Sequence, residues 1–267
     1  MKRSLRTVAV TRYVTPLREG GSVPAIVEAD DDGMYVLKFR GAGQGPKALI
    51  AELLAGELGR AAALPIPEIV LIQLDPDLAR TEPDPEIQDL IRASGGLNVA
   101  LDYLPGAVTF DPVTHQPTAA LAAAIVWFDA FVTNVDRTAR NTNMLMWHRK
   151  LHLIDHGAAL YFHHSWSADY LERSRDPFPR IRDHVLLPFA SALQEAHESM
   201  LERLTPEVMR SVVALIPDEL LTDLPGDDHT FANPGEYRAA YERWLVGRLE
   251  PPHDFFTEAL RAHAQLV

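Results

Sequence analysis

The sequence predicts an α+β protein of two lobes, a small β-rich lobe over residues 1–104 and a larger, mainly helical lobe over residues 105–267. Three observations carry this expectation. The first third of the chain consists of short apolar and β-branched runs separated by glycine-containing turns. From Thr118 onward the pattern is mostly helical. Between the two, Pro105-Gly106 marks the change of character.

The elements follow in order. Leu5 to Thr15 and Val23 to Ala29 read as strands around the turn Arg18-Glu19-Gly20-Gly21-Ser22. Asp30-Asp31-Asp32-Gly33 is a hairpin turn into a third strand, Met34 to Phe39. Gly41 to Pro46 is a loop. Lys47 to Ala63 is a helix rich in Ala and Leu, stopped by Pro65 and Pro67. Glu68 to Leu74 is a strand, and Asp75 to Pro85 reads as an acidic, Pro-rich surface loop. Asn98 to Leu104 is a further strand. Ala119 to Thr133 is a buried helix, and Met144–Trp147 and Leu151–Ile154 are short strands about a polar turn. After Pro188 the pattern gives three or four amphipathic helices, with breaks near Thr205-Pro206, Pro217 and Asn233-Pro234-Gly235.

Composition narrows the function classes. With 267 residues, 47% of them hydrophobic, the chain can bury a sizeable core. The formal net charge of −12 repels nucleic-acid phosphates, so no nucleic-acid partner is expected, and an anionic ligand needs a local source of positive charge. The absence of cysteine excludes disulfides, thiolate metal sites and cysteine catalysis. The longest apolar run, Ala119 to Phe128, is too short to span a bilayer, and the basic start is not followed by an apolar signal segment. The expectation is a soluble, cytoplasmic protein with no membrane partner.

The most informative segment is Asn134-Val135-Asp136-Arg137-Thr138-Ala139-Arg140-Asn141-Thr142-Asn143, a polar loop between a buried helix and a strand. Fourteen residues after Asn141, a lone carboxylate, Asp155, ends an apolar strand in Leu153-Ile154-Asp155-His156-Gly157. Phosphoryl transfer needs oxygen-rich side chains for Mg²⁺, a carboxylate to orient the attacking hydroxyl and take its proton, and a Lys to neutralise phosphate charge. Asp136 precedes Asn141 by five residues, the spacing of catalytic Asp and metal-binding Asn in protein kinases. Asp155 stands where a second metal ligand belongs. The catalytic candidates are thus Asp136 and Lys38, and the metal candidates Asn141 and Asp155. Lys38, among apolar strand neighbours, needs a counter-charge or an anionic ligand, and Glu52 on the next helix can pair with it. Gly20, Gly21 and Ser22 could lie over the phosphates, their backbone N–H groups facing anionic oxygens. Ala100, Leu101, Asp102 and Tyr103 are expected to link the lobes and face the adenine of ATP. Each signal alone has a bland reading: a plain hairpin turn, a solvated strand lysine, loop-forming Asp and Asn. Their joint occurrence in this order carries the argument.

At these residues the sequence resembles the HipA-like kinases, bacterial relatives of the protein- and lipid-kinase superfamily. Their catalytic loop has Asp, then Asn five residues on, without a His-Arg-Asp triplet, as in Asn134-Val135-Asp136-Arg137 with Asn141. The helix with Glu52 and its exit through Leu64-Pro65-Ile66-Pro67-Glu68 also look like the family's, and the likeness runs from about Val10 to His164. The resemblance implies a bilobed protein-kinase-like fold, ATP and Mg²⁺ as cofactors, and Ser/Thr of a protein as acceptor. Toxin members are longer, with an N-terminal subdomain that this chain does not match, and an antitoxin-like partner stays open. Arg137 and Arg140 crowd the loop, either to bind phosphate or substrate or to balance nearby acids. Alternatives are a small-molecule kinase of the aminoglycoside or homoserine kinase type, and a nucleotide-binding pseudokinase. A His-based metal enzyme is disfavoured, because no HExxH-type pair occurs among the histidines.

Overall fold

Five strands with alternating inward and outward side chains close into a barrel. They are β1 (Thr7–Pro16), β2 (Ala25–Ala29), β3 (Met34–Lys38), β4 (Ile69–Leu74) and β5 (Gly96–Asp102), in the order β1-β2-β3-β5-β4. The computed structural model describes residues 4–17, 23–167, 169–222, 224 and 231–266. The neighbouring strands pair antiparallel except β1 with β4, whose parallel contact from Thr7–Leu71 to Ala9–Gln73 shuts the barrel. The Asp-Gly hairpin forms between β2 and β3: Asp32 takes a left-handed φ of 61°, and the Ala29 N–H donates to the Gly33 carbonyl at 3.0 Å.

Alternation on β3 decides where its lysine goes. Tyr35 and Leu37 point into the barrel with Val27, Val70 and Ala100. Lys38 is one residue on, so it faces the opposite side, towards helix α1 (Pro46–Ala61). That helix lies against the barrel because two of its glycines permit it. A Cβ at Gly56 would stand 2.2 Å from Ile69 Cδ1, and one at Gly59 would stand 2.3 Å from Ile66 Cδ1.

The segment expected as a loop at Asp75–Pro85 is not irregular. Asp75 caps a 3₁₀ turn (Pro76–Thr81), and Asp84 caps α2 (Pro85–Ala93) by accepting from the Glu86 N–H at 3.0 Å. Both Asp-Pro pairs act as helix starts, with the acid at the N-cap and Pro at N1.

Beyond the barrel, a three-stranded sheet runs in the order β6-β7-β8, from β6 (Val108–Thr109), β7 (Met144–Trp147) and β8 (Lys150–Leu153). The β7–β8 turn places His148 and Arg149 at φ 47° and 63°, a primed hairpin turn made without glycine. The buried helix is α3 (Ala119–Phe131), started by Thr118, whose hydroxyl accepts from the Leu121 N–H. After Pro188 five helices form among the described residues: α4 (Leu193–Arg203), α5 (Pro206–Val213), α6 (Asp218–Thr222), α7 (Pro234–Leu249) and α8 (Asp254–Ala264). The expected breaks at Thr205-Pro206 and Asn233-Pro234 are N-caps followed by Pro at N1. The stretch from Gly157 to Ala190 carries 3₁₀ turns but no α-helix among its described residues.

Trp127 on α3 stacks on Phe131 and meets Phe255 of α8 edge-on at 5.2 Å, joining the first and last helices of this half. The large core also takes in α1, which packs on α5 and α6 as well as on Ile69, Val99 and Leu101 of the barrel wall. No helix of the described residues is long and apolar enough to cross a membrane.

Candidate active site

The candidate site is built on β3, α1, the 134–143 loop and the end of β8. Lys38 Nζ donates to Asp155 Oδ1 at 2.6 Å and stands 3.7 Å from Glu52 Oε2. Glu52 is buried and turns the same oxygen to the His156 N–H at 2.9 Å. Burial alone would raise the Glu52 pKa. The charge of Lys38 and the bonds from His156 outweigh it and hold the carboxyl well below the usual range. Burial would likewise lower Lys38, but Glu52 and Asp155 raise it, so the lysine stays charged. Of the three, Asp155 is the open member, its side chain 38% exposed against 11% for Lys38. Its backbone is left-handed at φ 56°, a conformation non-glycine residues adopt where the surroundings enforce it.

The loop after α3 is organised around a second buried group. Asp129, near the end of α3, accepts from Arg137 Nε at 2.6 Å, from Asn134 Nδ2 at 3.0 Å and from His184 Nε2 at 2.9 Å. The Leu186 N–H donates to His184 Nδ1 at 3.0 Å, so Nε2 carries the ring proton and the imidazole is neutral. Burial would raise the Asp129 pKa, yet Arg137 and His184 hold it far below the ordinary value. Burial depresses His184, and its bond to Asp129 offsets only part of this.

Arg137 therefore belongs to the scaffold. Its Nη1 donates to the Asn143 carbonyl and, at 3.5 Å, to the Ile154 carbonyl. The Ile154 N–H donates back to the Asn143 carbonyl at 3.0 Å. One guanidinium thus joins the end of the loop to the residue before Asp155. Arg140 is exposed and takes no part in this bracket. Within the loop, Asn141 Nδ2 donates to Asp136 Oδ2 at 2.7 Å and Asn143 Nδ2 to the same oxygen at 3.3 Å.

The sequence-derived residues fall into four sets. Lys38, Glu52 and Asp155 come together, as do Asp136 and Asn141. Of the four hinge residues, Ala100 and Leu101 are internal to β5, with β3 on one edge and β4 on the other. Asp102 and Tyr103 reach the strand's end, where their N–H groups donate to the carbonyls of Glu68 and Met34. Gly20, Gly21 and Ser22 lie outside the described residues. Sequence reasoning missed Asp129, Asn143 and His184. The available signal was Asp129 itself, the one charged residue in the thirteen of α3.

The donor set suits a hard cation. Asn141 spends its amide nitrogen on Asp136, which leaves its oxygen, and Asp155 Oδ2 accepts no hydrogen bond among the described residues. Carboxylate and amide oxygens are the ligands that Mg²⁺ takes.

Comparison with known proteins agrees with this architecture. Residues 10–225 match the family described as HipA-like kinase. No curated protein sequence matches the chain. Among solved structures, a proinflammatory kinase of Helicobacter pylori, CtkA, is similar with a TM-score of 0.52 at 11% identity, over 97% of this chain and 98% of that one. A Golgi casein kinase with Mn/ADP bound is similar with a TM-score of 0.50 at 12% identity, over 97% of this chain and 73% of that one. At such identities these likenesses speak to the fold, which is bilobed and kinase-like. With the family match covering most of its length, the chain belongs to the HipA-like kinases.

Proposed function

We propose that this protein is an ATP- and Mg²⁺-dependent kinase that transfers the γ-phosphate to a hydroxyl, with Ser/Thr of a protein as the acceptor. The observation that carries the reading is the convergence at Asp155. Lys38, braced by Glu52, reaches it from the barrel, and Arg137 fixes the loop of Asp136 and Asn141 against the residue before it.

In this reading Lys38 neutralises nucleotide phosphate, and Asn141 and Asp155 hold Mg²⁺, which screens the charge on the phosphates. Asp136 orients the acceptor hydroxyl and takes its proton. Asn141 and Asn143, both donating to Asp136 Oδ2, fix that carboxylate before substrate arrives. The adenine lies against the chain leaving β5 at Asp102–Tyr103, and the division into lobes falls near 104/105.

A nucleotide thermal-shift series tests the proposal. ATP with Mg²⁺ should raise the melting temperature, and ATP with a chelator should raise it less. Asp155→Asn, which keeps the shape and removes the ligand charge, should abolish the Mg²⁺-dependent part. An equal shift with and without metal in wild type would remove Mg²⁺ from the site.

Lys38→Ala should weaken ATP binding by one to two orders of magnitude, roughly the effect of deleting a buried charge-assisted contact. The variant leaves Glu52 buried beside His156, so its far-UV circular dichroism should be recorded alongside. A folded variant with wild-type ATP affinity would take Lys38 out of the site.

A further inference from the structure

We infer that a cavity abutting the 134–143 loop is the acceptor subsite. It takes an apolar side chain of a polypeptide acceptor together with an acidic residue beside it. The inference rests on the kinase reading and names the substrate class of that same site.

The cavity has a volume of about 300 Å³ and is lined by Thr133, Val135, Phe178 and Trp244, with Arg173 and Arg180 among its polar residues. Val135 immediately precedes Asp136, so whatever fills the cavity lies against the backbone that carries the proposed proton acceptor. A cavity of roughly half this volume holds a benzene ring, and pockets for whole drug-sized ligands start at about this size. One large side chain of a longer acceptor is therefore the fitting occupant.

Two lining residues carry buried polar atoms without a partner. Thr133 Oγ1 and Trp244 Nε1 make no hydrogen bond among the described residues, although Thr133 is only 6% exposed and Trp244 fully buried. Native folds rarely leave such atoms unpaired. The Trp244 indole can only donate, so it calls for an acceptor atom from outside, such as a peptide carbonyl.

The charges point the same way. Arg173 is anchored by donating through Nη1 to the Ser165 carbonyl at 2.8 Å. Arg180 is exposed and makes no ion pair or hydrogen bond among the described residues. The cavity's one acid, Asp176, has already accepted the Phe178 N–H at 2.6 Å. Two guanidiniums against one carboxylate, in a chain of net charge −12, make this an anion-accepting edge. Phe178 itself sits at φ 58° between two prolines, an uncommon backbone for a bulky residue and one that tends to occur at ligand sites.

The test is phosphate transfer from Mg²⁺-ATP to a positional library of synthetic peptides around a central Ser or Thr, with a panel of free amino alcohols and sugars alongside. Wild type should select peptides with an aromatic or branched apolar residue and an Asp or Glu next to it. Arg180→Glu, an exposed change, should reverse the charged preference from acid to lysine, shifting the kcat/KM ratio between acidic and basic peptides about tenfold or more through KM. Transfer to peptides with no apolar or acidic preference, or a preference unmoved in Arg180→Glu, overturns the subsite while leaving the kinase reading intact. Transfer to free alcohols alone also overturns it. A wild type that binds no ATP in the thermal-shift series defeats both.

Discussion

Asp136→Ala should leave ATP affinity nearly unchanged and lower phosphoryl transfer by about 10²–10⁴-fold, the range for a lost general base. The separation follows from the proposed division of labour. Phosphate charge falls to Lys38 and to the Mg²⁺ that Asn141 and Asp155 would hold, while Asp136 serves only the incoming hydroxyl. Geometry sharpens the expectation, because the Asp136 carboxylate is held by Asn141 and Asn143 and, among the described residues, makes no hydrogen bond or ion pair with Lys38. The measurements are a nucleotide titration and single-turnover transfer on the same preparation. Loss of ATP binding with residual turnover would make Asp136 a metal or structural residue. Binding of Mg²⁺-ATP by wild type with no transfer to itself, to proteins or to small hydroxyl compounds would favour the pseudokinase.

The second large effect is on stability. Asp129→Ala should cost about 3–5 kcal/mol, because it strands the buried Arg137 guanidinium and the His184 N–H without their shared acceptor. For a chain of this length that is on the order of a 10 °C fall in melting temperature. Transfer activity should fall with it, since Arg137 would no longer hold the 134–143 loop to the end of β8.

The pH dependence follows from the direction of the shifts. Asp129 titrates lower in the folded protein than in the unfolded chain. Its stabilisation is complete above the unfolded value of about 3.9 and is lost as the pH falls through the folded one. His184, kept neutral by burial, acts in the same sense. The unfolded chain takes up its proton below about pH 6.5 while the folded protein resists, so stability drains on the acid side. Asp129→Asn should flatten the acid limb of melting temperature against pH. A wild-type acid limb in that variant would assign acid sensitivity elsewhere.

Local chemistry made much of the fold legible. The Asp-Gly hairpin, the strand alternation of Met34–Lys38 and the apolar run of α3 are decided within a few residues, and they appear where the sequence puts them. The acids and prolines of Asp75–Pro85 read as a loop by composition, although each Asp-Pro pair there is a helix cap, one opening the 3₁₀ turn and one opening α2. Spacing gave the Asp136–Asn141 pair, because both lie on one loop. It could not say which carboxylate Arg137 faces: Asp136 is its neighbour in sequence, and Asp129 its partner across the turn. The position of Ala100 and Leu101 was equally hidden, since a buried strand reads alike at an edge and in the middle.

Helix α1 shares its core with the helical half, whereas Lys38 rides on the barrel. Lys38 in turn reaches across to Asp155 just beyond β8, so their 2.6 Å contact joins the two sides of the proposed 104/105 division. A tilt of the barrel against the helical half would lengthen or shorten that contact directly, while Glu52 stays tethered to the His156 N–H behind it. The contact is in effect a gauge of posture: a pair of spectroscopic labels on exposed positions of the two halves would register the angle between them without touching Lys38 or Asp155.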